Sequence, residues 1–303
     1  MSCGTLRAGW LLLILFCLAW TAPAQQDFDK VEIQTVPVTG GISMLVGAGG
    51  NIGVSAGEDG VFLVDDQYAP LHPKILAAVT KISAKPLRFL LNTHWHGDHT
   101  GGNELMGKAG VLIVAHDNVR KRLSTEQFLA YFNARTPPSP QAALPVVTFN
   151  ETVTFHYNGE EIYAFHVPPA HTDGDAVVQF RRANVIHTGD LYFSNSYPFI
   201  DVSSGGSVNG VIAAADRMLQ LANPETKIIP GHGPLSNARE LQQYRDMLST
   251  IRDRIISQVR AGRTVEQVIA SKPTAEFDAS RKGLIPTEDF VKILYQDLSR
   301  RGP

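Results

Sequence analysis

The chain has 303 residues, room for one large domain or two small ones, and its 44% hydrophobic and 18% charged residues are those of a globular protein with a full core. The formal net charge is −2 and no basic stretch is long enough to hold a polyanion, which argues against a nucleic-acid partner. The two cysteines, Cys3 and Cys17, both lie near the N-terminus.

Residues 1–24 read as a secretory signal peptide. Arg7 supplies the positive charge, Trp10 to Trp20 is an unbroken apolar run, and Ala22-Pro23-Ala24 is a small-residue cleavage site. The run is too short to span a bilayer, which takes about 20 residues. Leu15-Phe16 precede Cys17 where a lipoprotein anchor wants small residues. The expected mature chain starts at Gln25 and has no cysteine, so it has no disulfide and no thiolate ligand. It is expected in the periplasm or outside the cell, with no stable membrane anchor after cleavage.

From Val31 to Asp65 short apolar runs alternate with glycine-rich turns, and Val31–Val36, Ile42–Val46 and Val61–Val64 read as strands. Pro70 to Ser83 spaces Leu71, Ile75, Leu76, Val79 and Ile82 at nearly helical intervals. Leu87–Leu91 is a buried strand, Gly101 to Lys108 a short helix and Val111–Val114 another strand. Asp117 to Tyr131 has a helical pattern, broken by Thr136-Pro137-Pro138-Ser139-Pro140, which is either a flap near a pocket or a linker. Strands follow at Val146–Phe149, Thr152–His156, Glu161–Val167, Ala176–Phe180 and Asn184–His187. Helices are expected at Asn209–Leu221 and Asn237–Ala261, on either side of a strand at Lys227–Ile229. The tail from Thr264 is mostly helical with a break at Pro286. Strands in runs with helices interspersed predict a layered α/β fold with a mostly antiparallel or mixed sheet.

The chemistry concentrates in His94-Trp95-His96-Gly97-Asp98-His99-Thr100-Gly101-Gly102-Asn103. On a helix His94 and His96 would point about 200° apart, whereas in an extended segment they share a side. The cluster therefore reads as a strand-end loop whose imidazoles reach one centre, with zinc or a similar divalent metal as its occupant. Asp98 and His99 cannot easily point the same way, which suggests a second metal beside the first. Three further segments share the pattern of a strand, a turn and a metal-type side chain: Pro168-Pro169-Ala170-His171, His187-Thr188-Gly189-Asp190 and Pro230-Gly231-His232. Glycines 189, 231 and 233 are expected to permit tight turns there. His116 reads as a cap or as a neighbour of the metals, His187 as a buried structural residue, and His72, His156 and His166 as surface or core. Ser194-Asn195-Ser196-Tyr197 and Gly205-Gly206-Ser207-Val208-Asn209 are either substrate-contacting loops or ordinary turns. Ser207 or Asn209 is a candidate helix cap.

At the motifs His94-Trp95-His96-Gly97-Asp98-His99, Ala170-His171-Thr172, Thr188-Gly189-Asp190 and Pro230-Gly231-His232-Gly233 the chain resembles the metallo-β-lactamase superfamily. The resemblance runs from about Val31 to Leu248. It implies a four-layered αββα sandwich, placed at residues 25–260, with 261–303 as a mostly helical extension. By that resemblance His94, His96 and His171 hold one zinc, Asp98, His99 and His232 hold the second, and Asp190 bridges the two, with iron or manganese as other possible metals. Two such ions about 3.5–4 Å apart can share a hydroxide that attacks a carbonyl. Asp98 could orient that nucleophile or relay a proton. The superfamily spans β-lactamases, glyoxalase II thioesterases, lactonases, sulfatases, phosphodiesterases and nucleases, and fold alone does not choose between them. The leader argues against glyoxalase II, and the charge against nucleases. The absence of cysteine departs from the β-lactamases that ligate zinc with a thiolate, whereas Asp190 matches the glyoxalase and lactonase arrangement. The expectation is an exported zinc hydrolase of a small molecule, opening a cyclic amide or ester of β-lactam or lactone type. A glyoxalase II-type thioesterase and a non-catalytic metal-binding accessory protein are the alternatives.

Overall fold

A computed structural model describes Met1, residues 27–281, Gly283 and residues 285–300. The expected leader, from residue 2 onward, lies outside the described residues. Two sheets face each other. The first runs in the order Gln34–Thr39, Ile42–Val46, Ile52–Gly57, Gly60–Val64, Leu87–Leu91, Leu112–His116 and Val147–Phe149. The second runs Thr152–Tyr157, Glu160–His166, Ala176–Phe180, Val185–His187, Lys227–Ile229 and Ser236–Asn237.

Alternation along the strands builds the layers, because successive side chains point to opposite faces. Phe62, Val64, Leu91 and Val114 of the first sheet meet Ile162, Ala164, Val178 and Phe180 of the second in the central core. The other face of the first sheet, with Leu63, Leu90 and Ile113, packs on Ile75 and Val79 of the helix His72–Ile82. The other face of the second, with Phe165, Val177 and Ile228, packs on the helices Val208–Leu221, Ala238–Arg260 and Thr287–Arg300. This is the expected αββα sandwich.

Strand direction decides where the site forms. Gly60–Val64, Leu87–Leu91 and Leu112–His116 are parallel neighbours, and so are Val185–His187 and Lys227–Ile229. Parallel strands end on the same edge. Glu160–His166, two antiparallel steps from Val185–His187, ends there as well. The segments after these strands, carrying His94, His171, Asp190 and His232, therefore emerge along one rim.

Two expectations are corrected. The helix beginning at Asp117 stops at Leu123, and Gln127–Leu129 pairs with Ala134–Thr136 as a hairpin. Gln127 turns its amide back onto the Arg122 carbonyl at 3.2 Å, and the Arg122 guanidinium is held by Asp173 at 2.6 and 2.8 Å. These contacts end the helix where its apolar spacing would have let it continue. The helix Val208–Leu221 is not capped by Ser207 or Asn209. Its first N–H donates to Asp297 Oδ2 at 2.8 Å, from the helix Thr287–Arg300. That last helix lies against the sandwich core through Phe290, Leu294 and Leu298. Among the described residues no helix is long and apolar enough to cross a membrane.

Candidate metal centre

Seven side chains meet at the rim in two groups. His94, His96, His171 and Asp190 form one, and Asp98, His99 and His232 the other; within each, one ligand atom per residue lies within 4.8 Å of the rest. The extended backbone at His96 turns directly into the short helix Gly97–Thr100. That turn sends Asp98 and His99 away from His94 and His96, into the second group. Asp190 lies between the groups. Its Oδ2 is 3.5 Å from His171 Nε2 and 3.8 Å from His94 Nε2, and its Oδ1 is 3.0 Å from His99 Nε2 and 3.4 Å from His232 Nε2. Asp98 Oδ2 lies 3.2 Å from His232 Nε2 and 3.7 Å from His99 Nε2.

The surroundings fix which ring nitrogen faces inward. Thr93 donates its backbone N–H and its hydroxyl to the Asp65 carboxylate, each at 2.7 Å, and so leaves its hydroxyl oxygen to accept from His94 Nδ1 at 3.0 Å. His99 Nδ1 donates to Asp65 Oδ2 at 2.8 Å, and His171 Nδ1 donates to the Phe199 carbonyl at 2.8 Å. His96 donates through Nε2 to Asp201 at 3.1 Å, which leaves Nδ1 to face His171 Nε2 at 2.9 Å. In His94, His96 and His171 the outward nitrogen carries the proton and the inward one offers a lone pair, the arrangement that metal-binding histidines need, and His99 Nδ1 is held outward in the same way. His94 Nε2 is buried without a hydrogen-bond partner. An unpartnered buried polar atom costs about 1–3 kcal/mol. Donor atoms converging in this way fit a divalent cation with nitrogen and oxygen ligands.

The electrostatics agree. Burial, with His99 and His171 nearby, holds His94 well below the ordinary imidazole value, and burial also lowers His171. Burial opposes ionisation of Asp98 and Asp190, but His99 and His232 outweigh it. Asp98 comes down to about 2, and Asp190 lies well below the ordinary carboxylate value. Burial would likewise lower His99 and His232, yet Asp190 and Asp98 reverse the sign: His232 is pushed up to about 9 and His99 well above its usual value. Without a metal, protons on these two imidazoles balance the carboxylates.

Two glycines make the approach possible. A Cβ at Gly50 would run into the His99 ring, and one at Gly231 into Asp190 Oδ1. Gly189 and Gly233 adopt left-handed backbone, as expected of tight turns, whereas Gly231 serves close packing instead. His116 caps the helix Asp117–Leu123 by accepting from Asn118 N, and stacks on His166 at 3.7 Å. His187 is buried and donates to the Asn51 carbonyl while accepting from Gly189 N, which steadies the turn before Asp190. The supporting residues Asp65, Thr93, Phe199 and Asp201 were not among the expected site residues. Asp65 follows the strand Gly60–Val64 and fits the same strand-then-ligand pattern. Asp201 and Phe199 sit in an irregular segment with no such mark.

Above the two groups lies a pocket of about 320 Å³, walled by Tyr68, Trp95, Leu129, Phe132, Phe193 and Phe199, with Asp98, Asp190 and His232 at its base. The hairpin after Leu123 supplies Leu129, Phe132 and Thr136, so the segment before the proline run does border the pocket. Ser194-Asn195-Ser196-Tyr197 and Gly205-Gly206-Ser207 do not line it. Tyr197 stacks on Phe290 at 4.5 Å instead.

The family model for the metallo-β-lactamase superfamily matches residues 45–232, a span that holds all seven side chains. The chain belongs to the metallo-β-lactamase superfamily. Among curated members it is similar to an atrochrysone carboxyl ACP thioesterase of Aspergillus chevalieri, 24% identical over 77% of this chain and 70% of that one. It is also similar to a hydroxyacylglutathione hydrolase of Pelagibacter ubique, 28% identical over 36% of this chain and 37% of that one. It spans about two thirds of the length of the fungal members it matches. A metallo-β-lactamase from Pontibacter korlensis superposes with a TM-score of 0.59 at 18% identity, over 72% of this chain and 99% of that one, a likeness of fold. Membership places the chain among the hydrolases of this superfamily, with two histidine and aspartate groups able to bind metal.

Proposed function

We propose that this chain is an exported, zinc-dependent hydrolase that opens a cyclic amide or ester, β-lactam-like or lactone. His94, His96 and His171 would hold one ion, Asp98, His99 and His232 a second, and Asp190 would bridge them. The observation that carries this reading is Asp190, with one oxygen toward each group beneath an apolar pocket. Ions bound there would acidify water and polarise an acyl oxygen.

The chain's own groups do the rest. Asp98 is ionised and open to the pocket, so it can take a proton from the attacking water and return it to the leaving group. Tyr68 keeps its phenolic proton, because burial and the charges of Asp98 and Asp190 push it up to about 12. It is a donor for the substrate's oxygen. Trp95, Phe132, Phe193 and Phe199 exclude water and favour an apolar acyl group. Among the described residues no lysine or arginine lines this pocket, which speaks against a peptide-like, multiply charged thioester. Thioester hydrolysis remains the second reading, favoured by the thioesterase names among the curated relatives. Export rests on Arg7, the run Trp10 to Trp20 and Ala22-Pro23-Ala24.

The test is hydrolysis of a panel of β-lactams, lactones, aryl esters and thioesters by residues 25–303, with metal content measured before and after chelation. Two ions per chain and turnover that chelation abolishes are expected. Activity surviving complete metal removal would overturn the mechanism. Two bound ions with no turnover across the panel would make the chain a non-catalytic metal-binding accessory protein.

A further inference from the structure

A second and larger cavity, of about 570 Å³, lies beside the pocket over the metal centre. Phe132 and Phe199 belong to the walls of both, and their rings stand 5.3 Å apart as the partition. The far wall is one face of the last helix, Thr287–Arg300, which contributes Asp289, Lys292, Ile293, Gln296 and Arg300. Residues three, four and seven apart share a helix face, so this face is built by the sequence and not by chance folding. The volume is that of an ordinary small-molecule site.

Its lining selects a ligand type. Tyr131, Phe132 and Phe199 form a three-ring cluster, with centroids 4.8, 5.3 and 5.5 Å apart. Ile200 and Ile293 extend the apolar surface. Both carboxylates of the lining are already satisfied. Asp201 accepts from His96, from Ser204 N and from the hydroxyls of Ser203 and Ser204. Asp289 accepts from the Tyr131 hydroxyl and from Lys292, each at 3.0 Å. Arg300, an exposed member of the lining, has no ion-pair partner among the described residues. The unspent charge is therefore positive, at the edge of an aromatic wall.

We infer that this cavity is a second ligand site, distinct from the metal centre, for an amphipathic anion: an aryl or alkyl body against Tyr131, Phe132 and Phe199, and a carboxylate or similar anion at Arg300. The site goes beyond hydrolysis, and its existence does not depend on which acyl compound the metal centre cleaves. Its position gives it a means of communication. Phe199 and Asp201, which line it, are the residues that hold His171 and His96 in place.

The experiment is calorimetric titration of residues 25–303 with 6-phenylhexanoate, with 6-phenylhexanamide as the uncharged control, on metal-loaded and on chelated protein. One molecule is expected to bind in both states. Loss of the charge-assisted contact, in the amide or in an Arg300→Gln variant, should weaken binding about tenfold. Gln296→Trp, which plugs the cavity from an exposed position, should abolish it, and Lys85→Gln, remote from the cavity, should leave it unchanged. No binding in either state would overturn the inference. Binding that chelation abolishes, and that Arg300→Gln and Gln296→Trp leave intact, would also overturn it, by placing the anion on the metals.

Discussion

Replacing Asp65 with asparagine tests whether the outward hydrogen bonds set the metal affinity. Asp65 is fully buried and accepts from Thr93 N, Thr93 Oγ1 and His99 Nδ1. Its φ of 63° lies in the left-handed region, which asparagine tolerates and alanine does not, so Asp65→Asn keeps the backbone. An amide has one acceptor oxygen. The Thr93 N–H cannot move its proton, so that oxygen stays on Thr93, and the amide NH2 then faces His99 Nδ1. An imidazole answers by shifting its proton to the other nitrogen. His99 Nε2, 3.0 Å from Asp190, becomes a donor and loses the lone pair a metal requires. The same amide can donate to Thr93 Oγ1, freeing that hydroxyl to donate to His94 Nδ1 and protonate His94 Nε2 as well. Changes to such supporting partners cost about 10–100-fold in metal affinity, or roughly 1.4–2.7 kcal/mol. The metal-free protein should lose only about 0.5–1.5 kcal/mol, because one hydrogen bond is exchanged for another. Competition with a chromophoric chelator reads the affinities, and thermal unfolding with and without zinc reads the stability. Two ions bound within about threefold of the parent affinity would refute the proton-shift argument.

Further outcomes follow from the same geometry. Asp190→Ala should lower metal content by at least one ion per chain and remove most activity; unchanged metal content would rule out the bridge. Acidification should release metal from the Asp98, His99 and His232 group first. His232 binds a proton below about 9, whereas burial keeps His94 and His171 unprotonated. Equal pH slopes for both ions would contradict this. The sign reverses for the metal-free protein. A folded-state value of about 9 against an ordinary 6.5 means that His232 stabilises the fold fully below pH 6.5, and that this contribution is lost as pH rises through about 9. Its melting temperature should therefore fall across that window, and a rise would count against the His232 contacts. Phe290→Ala should cost about 3–5 kcal/mol, because Phe290 is fully buried and stacked on Tyr197. A loss below about 1 kcal/mol would show the last helix to be a loose appendage.

The sequence carried the metal centre further than it carried the pocket. His94, His96, Asp98, His99, His171, Asp190 and His232 each follow a strand or its turn, and their spacing reads as ligand chemistry before any fold is known. The parallel strand ends then bring them together, a point of topology that the expected mostly antiparallel or mixed sheet left open. The pocket walls were less legible. Leu129 and Phe132 sit at near-helical spacing after Asp117, and only the pairing of Arg122 with Asp173 and the return of Gln127 onto the helix end turn that stretch into a hairpin. Asp201 and Phe199 hold two of the candidate ligand histidines from an irregular segment, where neither periodicity nor motif marks them. Ser207 looked like a cap, but Asp297 supplies it from 89 residues away, a contact that no local pattern encodes.

That distant cap has a consequence for the order in which the protein can be completed. The N–H it satisfies belongs to Val208, and the irregular segment that ends at Ser207 carries Phe199 and Asp201. A chain made from its N-terminus has all seven candidate ligands in hand by His232, before Asp297, the cap of the helix Val208–Leu221, has been made. Synthesis thus runs another 65 residues past the last candidate ligand, from 232 to 297, before that cap is in place. Until then the segment rests on contacts made within the sandwich, where Asp201 N–H donates to the His171 carbonyl and Ser207 N–H to the Ala170 carbonyl.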